Sequence, residues 1–294
     1  MLTSPESSAL TFPSAARVTA IGSQIVSLYE QLSDQTSLAP SPEVDALFHD
    51  LVTVCVGADA RDVSAVLCDP RVTRIRDELV KVCAEGESLL EKAWATTVLS
   101  ATDPPTTLAR FPYLGNYEEL VRIELHSLAA TGLDLAAAQR VCFIGGGALP
   151  LTALLLSSRL PECSATIRVV DRDGDAVALS ARLLELLDPN ASFEVLAADA
   201  TSAAQMVTAV GDCDIVVLAA LVGLNEPDKQ AALDTLGAAM PAGSRLLVRS
   251  SDGLRSLLYP TVNITDLCNA GFEPLVLVHP LGDVVNSVLV ARQP

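Results

Sequence analysis

The hydrophobic positions follow two different spacings along the chain. From about Arg17 to Leu99, apolar side chains recur every three or four residues, as at Ile21, Ile25 and Leu28. This spacing places them on one face of an α-helix, and Ser, Asp or Pro residues interrupt it at intervals. We therefore predict that the first part of the chain is entirely helical.

From Arg140 onward, short apolar runs alternate with helical stretches. The runs are rich in Val and Ile, which is typical of strands buried on both faces of a parallel sheet. They are RVCFI, TIRVVD, FEVLAAD, DIVVLAALV, SRLLVRS, PLVLVHP and NSVLVAR. We predict an α/β fold: a Rossmann-like parallel-sheet domain of the class I methyltransferase type, in which the last two runs form an antiparallel hairpin.

A Pro- and Gly-containing segment separates the two parts. It breaks the helical spacing at Pro104, Pro105, Pro112 and Gly115. We predict a loop that carries Tyr113 and Tyr117, followed by a helix from Glu118 to Ala130. The expected organisation is a helical N-terminal cap domain over residues 1–135 and the Rossmann-like domain over residues 136–294, with a ligand cleft between them.

Composition limits the partners of this protein. The formal net charge is −17, which would repel nucleic acid and an anionic membrane surface, so we expect a small-molecule ligand instead. Half of the residues are hydrophobic, but Pro, Gly and charged residues interrupt every apolar stretch before it could cross a bilayer. The N-terminal residues lack the pattern of a secretory signal. We expect a soluble, cytoplasmic protein; the sequence leaves open whether it is a monomer or a homodimer.

The cysteines and histidines predict no metal site. The seven cysteines are scattered without C-x-x-C spacing, and the three histidines lie far apart in sequence. This pattern favours reduced, buried thiols in an enzyme that needs no metal. The residues are Cys55, Cys68, Cys83, Cys142, Cys163, Cys213, Cys268, His49, His126 and His279.

A glycine-rich turn and two acidic residues indicate a nucleotide site. The first strand leads into Gly145, Gly146 and Gly147, where a backbone without Cβ atoms can turn tightly and approach a ligand; Leu149 and Pro150 follow as the next helix opens. The spacing is not G-x-G-x-x-G, and a simple tight turn is the alternative.

The acidic residues follow the second and third strands. Asp171 ends the second strand, where such folds place the acid that binds ribose hydroxyls; Asp173 and Asp175 are rivals that could instead cap a helix. Asp199 follows the third strand, at the position of an adenine-binding acid, with helix capping as an equal alternative. The pattern fits S-adenosylmethionine, yet the fourth strand is followed by small apolar residues that offer no base for methyl transfer.

Several segments together resemble one family, the nicotianamine synthases, from end to end. The segments occur in the family's order: QIVSLYEQLSDQTSLAPSPEVDALFHDLV, FPYLGNYEELVRIE, FIGGGALPLT, VLAALVG, LVRSSDGLRSLLYP and HPLGDVVNSVLVAR. The resemblance implies a helical domain over a Rossmann-like domain. It also implies that three S-adenosylmethionine molecules each donate an aminobutyrate unit and leave as methylthioadenosine, one unit closing to an azetidine ring.

The resemblance also implies the catalytic residues. Glu91 and Tyr117 match the glutamate and tyrosine that flank the reacting amine, and we predict Glu91 as the base and Tyr117 as its orienting partner. Glu85 and Glu87 are rival bases and Tyr113 is a rival phenol. Without the resemblance, Glu91 would be interpreted as part of a solvated helix face.

The later segments contribute predicted ligand-binding residues. Ala219 is expected to contact the nucleotide. Arg249, Arg255 and Tyr259 are candidates for binding a substrate carboxylate, because arginine can clamp a carboxylate with two hydrogen bonds. The alternative for the arginines is an ion pair with a surface acid such as Asp252. His279 and Asp283 match the family pattern but receive no chemical role.

Three other functions remain open on the sequence. The first is a single aminocarboxypropyl transfer to another amine, such as histidine, as opine-type metallophore synthases perform. The others are a non-catalytic sensor of S-adenosylmethionine or nicotianamine, and a small-molecule methyltransferase. Gly146, Ala148, Ala93 and Trp94 depart from the plant-like pattern, and the last two leave the choice of acceptor open because they lie beside Glu91.

Overall fold

The computed structural model describes residues 14–160 and 165–294. Its helices are α1 (Ala15–Ser33), α2 (Pro42–Gly57), α3 (Ala60–Leu67), α4 (Pro70–Ser100), α5 (Pro104–Leu108), α6 (Leu114–Ala129), α7 (Leu151–Arg159), α8 (Gly174–Leu187), α9 (Ala203–Val210), α10 (Glu226–Ala239) and α11 (Ile264–Asn269). Its strands are β1 (Arg140–Ile144), β2 (Thr166–Asp171), β3 (Phe193–Ala197), β4 (Ile215–Leu218), β5 (Arg245–Ser250), β6 (Glu273–Val278) and β7 (Ser287–Arg292). Cys163 lies outside the described residues.

Local sequence signals define the N-terminal helices. Ser41 caps α2 and Asp69 caps α4, and in each case a proline follows at the first helical position, where its missing N–H has no partner to lose. The apolar faces of α1–α4 meet in one core, which also contains leucines from a 3-10 turn at Gly253–Leu257. The helices are thereby anchored to the polypeptide that follows β5.

The sheet has the predicted class I methyltransferase-like order β3-β2-β1-β4-β5-β7-β6. Strands β1 to β5 are parallel, and β7 runs antiparallel between β5 and β6, so the predicted closing hairpin is confirmed. The chain passes from β1 to β2 and β3 on one side, and to β4 and β5 on the other. Ligands bind at such a reversal point, outside the carboxyl ends of the strands.

Helices cover both faces of the sheet. One apolar core joins α6 and α7 to the sheet, and the other joins α9, α10 and α11. Although α6 belongs to the predicted cap, residues 1–135, it therefore packs on the sheet itself. No helix within the described ranges is long and apolar enough to cross a membrane.

The segment predicted as a loop is partly helical. Pro104 and Pro105 begin α5, whose first turn Asp103 caps by accepting a hydrogen bond from the Thr106 N–H. Helix α6 begins at Leu114 rather than at Glu118, so Tyr117 lies in a helical first turn and not in a loop. A proline interrupts the hydrophobic spacing of a helix, but it is tolerated in the first turn. The interruption alone therefore does not distinguish a loop from the start of a helix.

Candidate active site

A large cavity lies between the N-terminal helices and the carboxyl ends of the parallel strands. Its volume is about 1990 Å³. The glycine turn after β1, the acids after β2 and β3, and the residues after β4 form the sheet side of its wall. Helices α2, α4 and α6 form the opposite side. The cavity joins the predicted nucleotide site to the predicted catalytic residues.

The glycine turn is held by hydrogen bonds to the end of β2. The N–H groups of Gly145 and Gly146 donate to the Val170 carbonyl, at 2.8 and 3.0 Å. The Gly147 N–H donates to Asp171 Oδ2 at 2.8 Å. Gly147 has a φ of +63°, in the left-handed region that favours glycine. The turn leads into α7, so the positive end of that helix follows it closely in the chain.

The acids after β2 and β3 line the cavity and also organise the turns that carry them. Asp171 accepts a second hydrogen bond, from the Asp173 N–H at 2.9 Å. Asp173 caps α8 and forms an ion pair with Lys92. These two structural contacts explain an acidic residue at this position without a role in ligand binding. Asp199 accepts hydrogen bonds from Thr201, and the backbone bond lowers its pKa most. Both Asp171 and Asp199 keep lone pairs for a nucleotide.

Two glutamates of α4 face the cavity one helical turn apart. Glu91 Oε2 accepts a hydrogen bond from the Ala148 N–H at 3.0 Å, so it touches the glycine turn. Glu87 Oε2 accepts a hydrogen bond from the Tyr259 hydroxyl at 2.7 Å. Glu85 is exposed and does not line the cavity. Glu91 is therefore not on a solvated helix face, and Glu87 remains as its rival.

Enclosure by protein shifts the ionisation of both carboxyl groups. Burial raises the pKa of Glu91 well above its usual range, and the charge of Glu87 adds to this shift; backbone hydrogen bonds from Ala148 and Leu149 oppose it. Burial also raises the pKa of Glu87, while the Tyr259 hydrogen bond and the Arg249 charge oppose the shift. Carboxyl groups of this kind suit general acid–base chemistry near neutral pH.

Tyr117 faces both glutamates from α6. Burial raises the pKa of Tyr117 well above its usual range, and the charges of Glu87 and Glu91 add to the shift. Its ring lies 6.4 Å, centroid to centroid, from that of Phe111. Tyr113 also lines the cavity, at the N-cap position of α6. Both phenols therefore reach the cavity, with Tyr117 nearer the pair of carboxylates.

Arg249 lies near the end of β5, and its hydrogen-bond partners are distant from it in the sequence. Its Nε and Nη2 donate to the Glu124 carboxylate at 2.7 and 3.2 Å, and Nη2 also donates to Thr152 Oγ1 at 2.8 Å. Arg249 is 5% exposed and Glu124 is 1% exposed. Burial lowers the pKa of Arg249, but the charge of Glu124 and its hydrogen bond outweigh that effect and raise it.

This pairing was missed by the sequence interpretation, which considered Asp252 as the partner. A signal was nevertheless present. Glu124 falls on the buried face of α6, among Val121, Leu128 and their neighbours. A carboxylate at an apolar position of a helix has to find a cation inside the protein.

The remaining predicted residues lie in different places. Leu149, Gly145 and Ala219 line the cavity, whereas Pro150 precedes α7 without lining it. Arg255 also does not line the cavity, because its Nη2 donates to the Gly282 carbonyl at 2.8 Å and fixes the segment after β6. His279 and Asp283 belong to that segment: His279 Nδ1 lies 2.9 Å from Ser287 Oγ, and the Asp283 carbonyl accepts from Asn116.

A buried lysine supports the turn after β4. Lys229 of α10 is 2% exposed, and its Nζ donates to the Ala220 carbonyl at 2.7 Å. Burial lowers the pKa of Lys229 to about 7. Ala219, Ala220 and Gly223 all line the cavity, so Lys229 fixes a wall of the site from behind. The sequence interpretation did not single it out.

Replacing Lys229 by methionine is expected to change how stability depends on pH. Between pH 7 and about 10.5 the unfolded chain keeps this proton while the folded protein loses it, so this group makes the wild type more stable as the pH rises. The free energy of unfolding of Lys229→Met relative to wild type should therefore fall from pH 7 to pH 10. Denaturant unfolding at both pH values measures it, and the exposed Lys81→Met should show no such fall. A constant difference for Lys229→Met would contradict the prediction.

Comparison with known proteins agrees with this geometry. Residues 14–294 match the family model described as "Nicotianamine synthase protein". Nicotianamine synthase 2 of Oryza sativa subsp. japonica is 38% identical over 277 residues, covering 94% of this chain and 83% of the relative. This chain belongs to the nicotianamine synthase family. The nicotianamine synthase of Solanum lycopersicum is 36% identical over 270 residues, covering 92% of this chain and 82% of that protein.

Solved structures show the same fold. A mutant of MtNAS in complex with S-adenosylmethionine superposes with a TM-score of 0.76 at 24% identity, covering 92% of this chain and 97% of that protein. MtNAS in complex with MTA and tNA gives a TM-score of 0.75 at 24% identity, covering 94% and 97%. The resemblance to nicotianamine synthases and the predicted fold class are both confirmed. In the described ranges of this family member, no group of three or more His, Cys, Asp or Glu residues could hold a metal ion.

Proposed function

We propose that this protein synthesises nicotianamine by transferring aminocarboxypropyl units from S-adenosylmethionine. The observation that carries the proposal is the cavity itself. It joins the acids Asp171 and Asp199 at the sheet edge to the carboxylates Glu87 and Glu91 on α4. The names of the plant relatives support the same activity, and so does the complex of a mutant of MtNAS with S-adenosylmethionine.

The reaction depends on which carbon of the donor the amine meets. The sulfonium activates all three attached carbons, so placement decides whether the methyl group or the aminocarboxypropyl arm is transferred. In this proposal the adenosine part occupies the edge formed by Asp171, Asp199 and Ala219, and the arm points toward α4. The amine then attacks the carbon of the arm that is bonded to sulfur, and methylthioadenosine leaves as a neutral thioether.

Acid–base groups are available where this attack would occur. An amine must lose a proton before its lone pair can react, and the carboxylates of α4 can accept that proton. Glu91, which we predict as the base, and Glu87 both face the cavity, and Tyr117 faces both of them. The cavity lies between protein layers, where fixed polar groups can take the place of bulk water around a bound substrate. The cytoplasmic location and a possible homodimer stay predictions.

Incubation of the purified protein with S-adenosylmethionine alone is the direct test. Mass spectrometry is expected to show methylthioadenosine and nicotianamine, and Glu91→Gln should reduce the release of methylthioadenosine by roughly 10²–10⁴-fold. The matched control is Glu85→Gln, an exposed position on the same helix, which should release it at the wild-type rate.

Other products would contradict the proposal in distinct ways. S-adenosylhomocysteine would show methyl transfer. Methylthioadenosine that forms only after histidine or another amine is added would show a single transfer to a separate acceptor. Tight binding without either leaving group would show a sensor.

A further inference from the structure

Asn286 is a buried polar residue in the wall of the cavity. It directly precedes β7, lines the cavity and is 9% exposed. An asparagine amide offers two N–H groups as donors and one oxygen with two lone pairs as acceptor. Buried polar side chains usually find partners for such groups inside the protein. The partners of Asn286 therefore show whether its amide serves the fold or is available to a ligand.

The amide of Asn286 makes little use of its hydrogen-bonding groups within the protein. Its Nδ2 lies 3.5 Å from the Ser250 carbonyl, which is longer than the roughly 2.7–3.2 Å of an ordinary N–H···O bond. Its Oδ1 accepts no hydrogen bond from any residue that the structure describes. This oxygen retains accessible surface, and the residue lines the cavity. The amide is therefore free to bind a ligand there.

Arg249 brings a second partly free polar group to the same face of the sheet. Arg249 pairs with Val288 across β5 and β7, and Asn286 lies two residues before Val288, so alternation along the strand places both side chains on one face. Such diagonal neighbours are about 7–8 Å apart, close enough for a common ligand. Glu124 and Thr152 occupy Nε and Nη2 of Arg249, whereas Nη1 has no hydrogen-bond partner among the described residues.

Together, these two groups match the two charges of an α-amino acid. A guanidinium binds a carboxylate, and an amide oxygen accepts a hydrogen bond from the N–H of an amine or ammonium. An α-amino acid carries its amine and its carboxylate on the same carbon. A simple carboxylic acid would leave the amide oxygen of Asn286 unpaired, and a simple amine would leave Arg249 without an anion. The pair of side chains therefore favours a ligand that has both groups.

We propose that Asn286 binds the amine of an α-amino acid unit of the acceptor while Arg249 binds the carboxylate on the same carbon. This assignment rests on the proposed aminocarboxypropyl transfer and adds Asn286 to its substrate-binding residues. Every unit that is transferred keeps an amine and a carboxylate on one carbon. The same two side chains can therefore hold each intermediate in the cavity between successive transfers.

Binding of nicotianamine tests the assignment without turnover. Asn286→Leu keeps the approximate size of the side chain and removes both polar groups, so it is expected to weaken nicotianamine binding roughly 10- to 100-fold in calorimetry. Methylthioadenosine has no amino acid part and should bind this variant as tightly as wild type, which also shows that the variant is folded. Asn286→Ala, which cannot crowd the cavity, should show the same selective loss.

The matched control is an asparagine away from the cavity. Asn269 ends α11, is exposed and does not line the cavity. Asn269→Leu should therefore bind nicotianamine and methylthioadenosine as wild type does.

The length of the product supplies a second readout. With S-adenosylmethionine alone, Asn286→Leu is expected to release products of one or two transfers at the expense of nicotianamine, because a weakly held intermediate leaves before the next unit is added. Mass spectrometry measures these products. A change in packing alone would lower the melting temperature and the total release of methylthioadenosine without shortening the product.

The results that overturn the assignment are distinct from those that overturn the proposed function. Wild-type binding of nicotianamine by Asn286→Leu would overturn the assignment, as would an equal loss of nicotianamine and methylthioadenosine binding or an unchanged set of products. The proposed function would survive each of these results. If the unaltered protein releases no methylthioadenosine but binds nicotianamine through Asn286, the proposed function fails while the amino acid site remains supported.

Discussion

Replacement of Arg249 by methionine is expected to lower the free energy of unfolding by roughly 3–5 kcal/mol. The substitution removes the partner of Glu124, a carboxylate that is 1% exposed and accepts two hydrogen bonds from the guanidinium. An uncompensated charge in that position would have to be protonated or hydrated, and either requires a change in the packing of α6 against the sheet. Denaturant unfolding at neutral pH measures the difference.

The control for Arg249→Met is another arginine of the same sheet. Arg292 forms an ion pair with Glu273, and both side chains are nearly half exposed. Arg292→Met should therefore cost about 1 kcal/mol or less. An equally small effect of Arg249→Met would show that burial does not make the Arg249–Glu124 pair important for stability.

A double variant separates folding from catalysis at this position. In Arg249→Met with Glu124→Leu neither charge of this buried pair remains, so most of the lost stability should return. The rate of methylthioadenosine release should not return, because the guanidinium that is predicted to bind a substrate carboxylate is gone. A double variant that regained both would assign Arg249 a structural role alone.

The helices and strands that are defined by local hydrophobic spacing could be predicted from the sequence. Apolar spacing identified the helices before Leu99 and the strands from Arg140, because burial on one or both faces imposes those periods. The start of α6 was missed. Gly115 and the preceding proline break the hydrophobic spacing, yet both are compatible with a helix N-terminus.

The site was predictable where it is local and unpredictable where it depends on tertiary contacts. Gly147 and Asp171 lie at the ends of adjacent strands, and their hydrogen bond follows from the predicted topology. The pairing of Arg249 with Glu124, in contrast, joins residues 125 positions apart. Neither segment contains a local sequence pattern that identifies the other residue as its partner.

The two α4 glutamates illustrate the same division. Their spacing of one helical turn put both on one face, and the exposed Glu85 on another, as the geometry of a helix requires. Their different neighbours come from the glycine turn and from Tyr259, which is 172 positions away from Glu87. Family resemblance predicted Glu91 as the base, whereas the residues alone left Glu87 as a rival.

Substitution of Gly147 by alanine is expected to abolish most of the activity while leaving the protein folded. An added Cβ would overlap Glu91 Oε2 and lie 2.9 Å from Glu91 Cδ, so the Glu91 side chain would have to move. The backbone cannot easily give way instead, because the Gly147 N–H is bonded to Asp171. Displacement of Glu91 by about 1 Å or more should reduce methylthioadenosine release by roughly 10²-fold.

The accompanying loss of stability should be small, and a second glycine supplies the comparison. The φ of +63° at Gly147 costs an alanine about 1–2 kcal/mol, far less than the unfolding free energy of a typical domain. Gly174 begins α8, and no neighbouring atom lies within 4 Å of an added Cβ, so Gly174→Ala should keep the wild-type rate and melting temperature. Because the two variants add the same methyl group, a difference in rate between them isolates the contact of the glycine turn with Glu91. Equal rates would mean that this contact does not position Glu91 for the reaction.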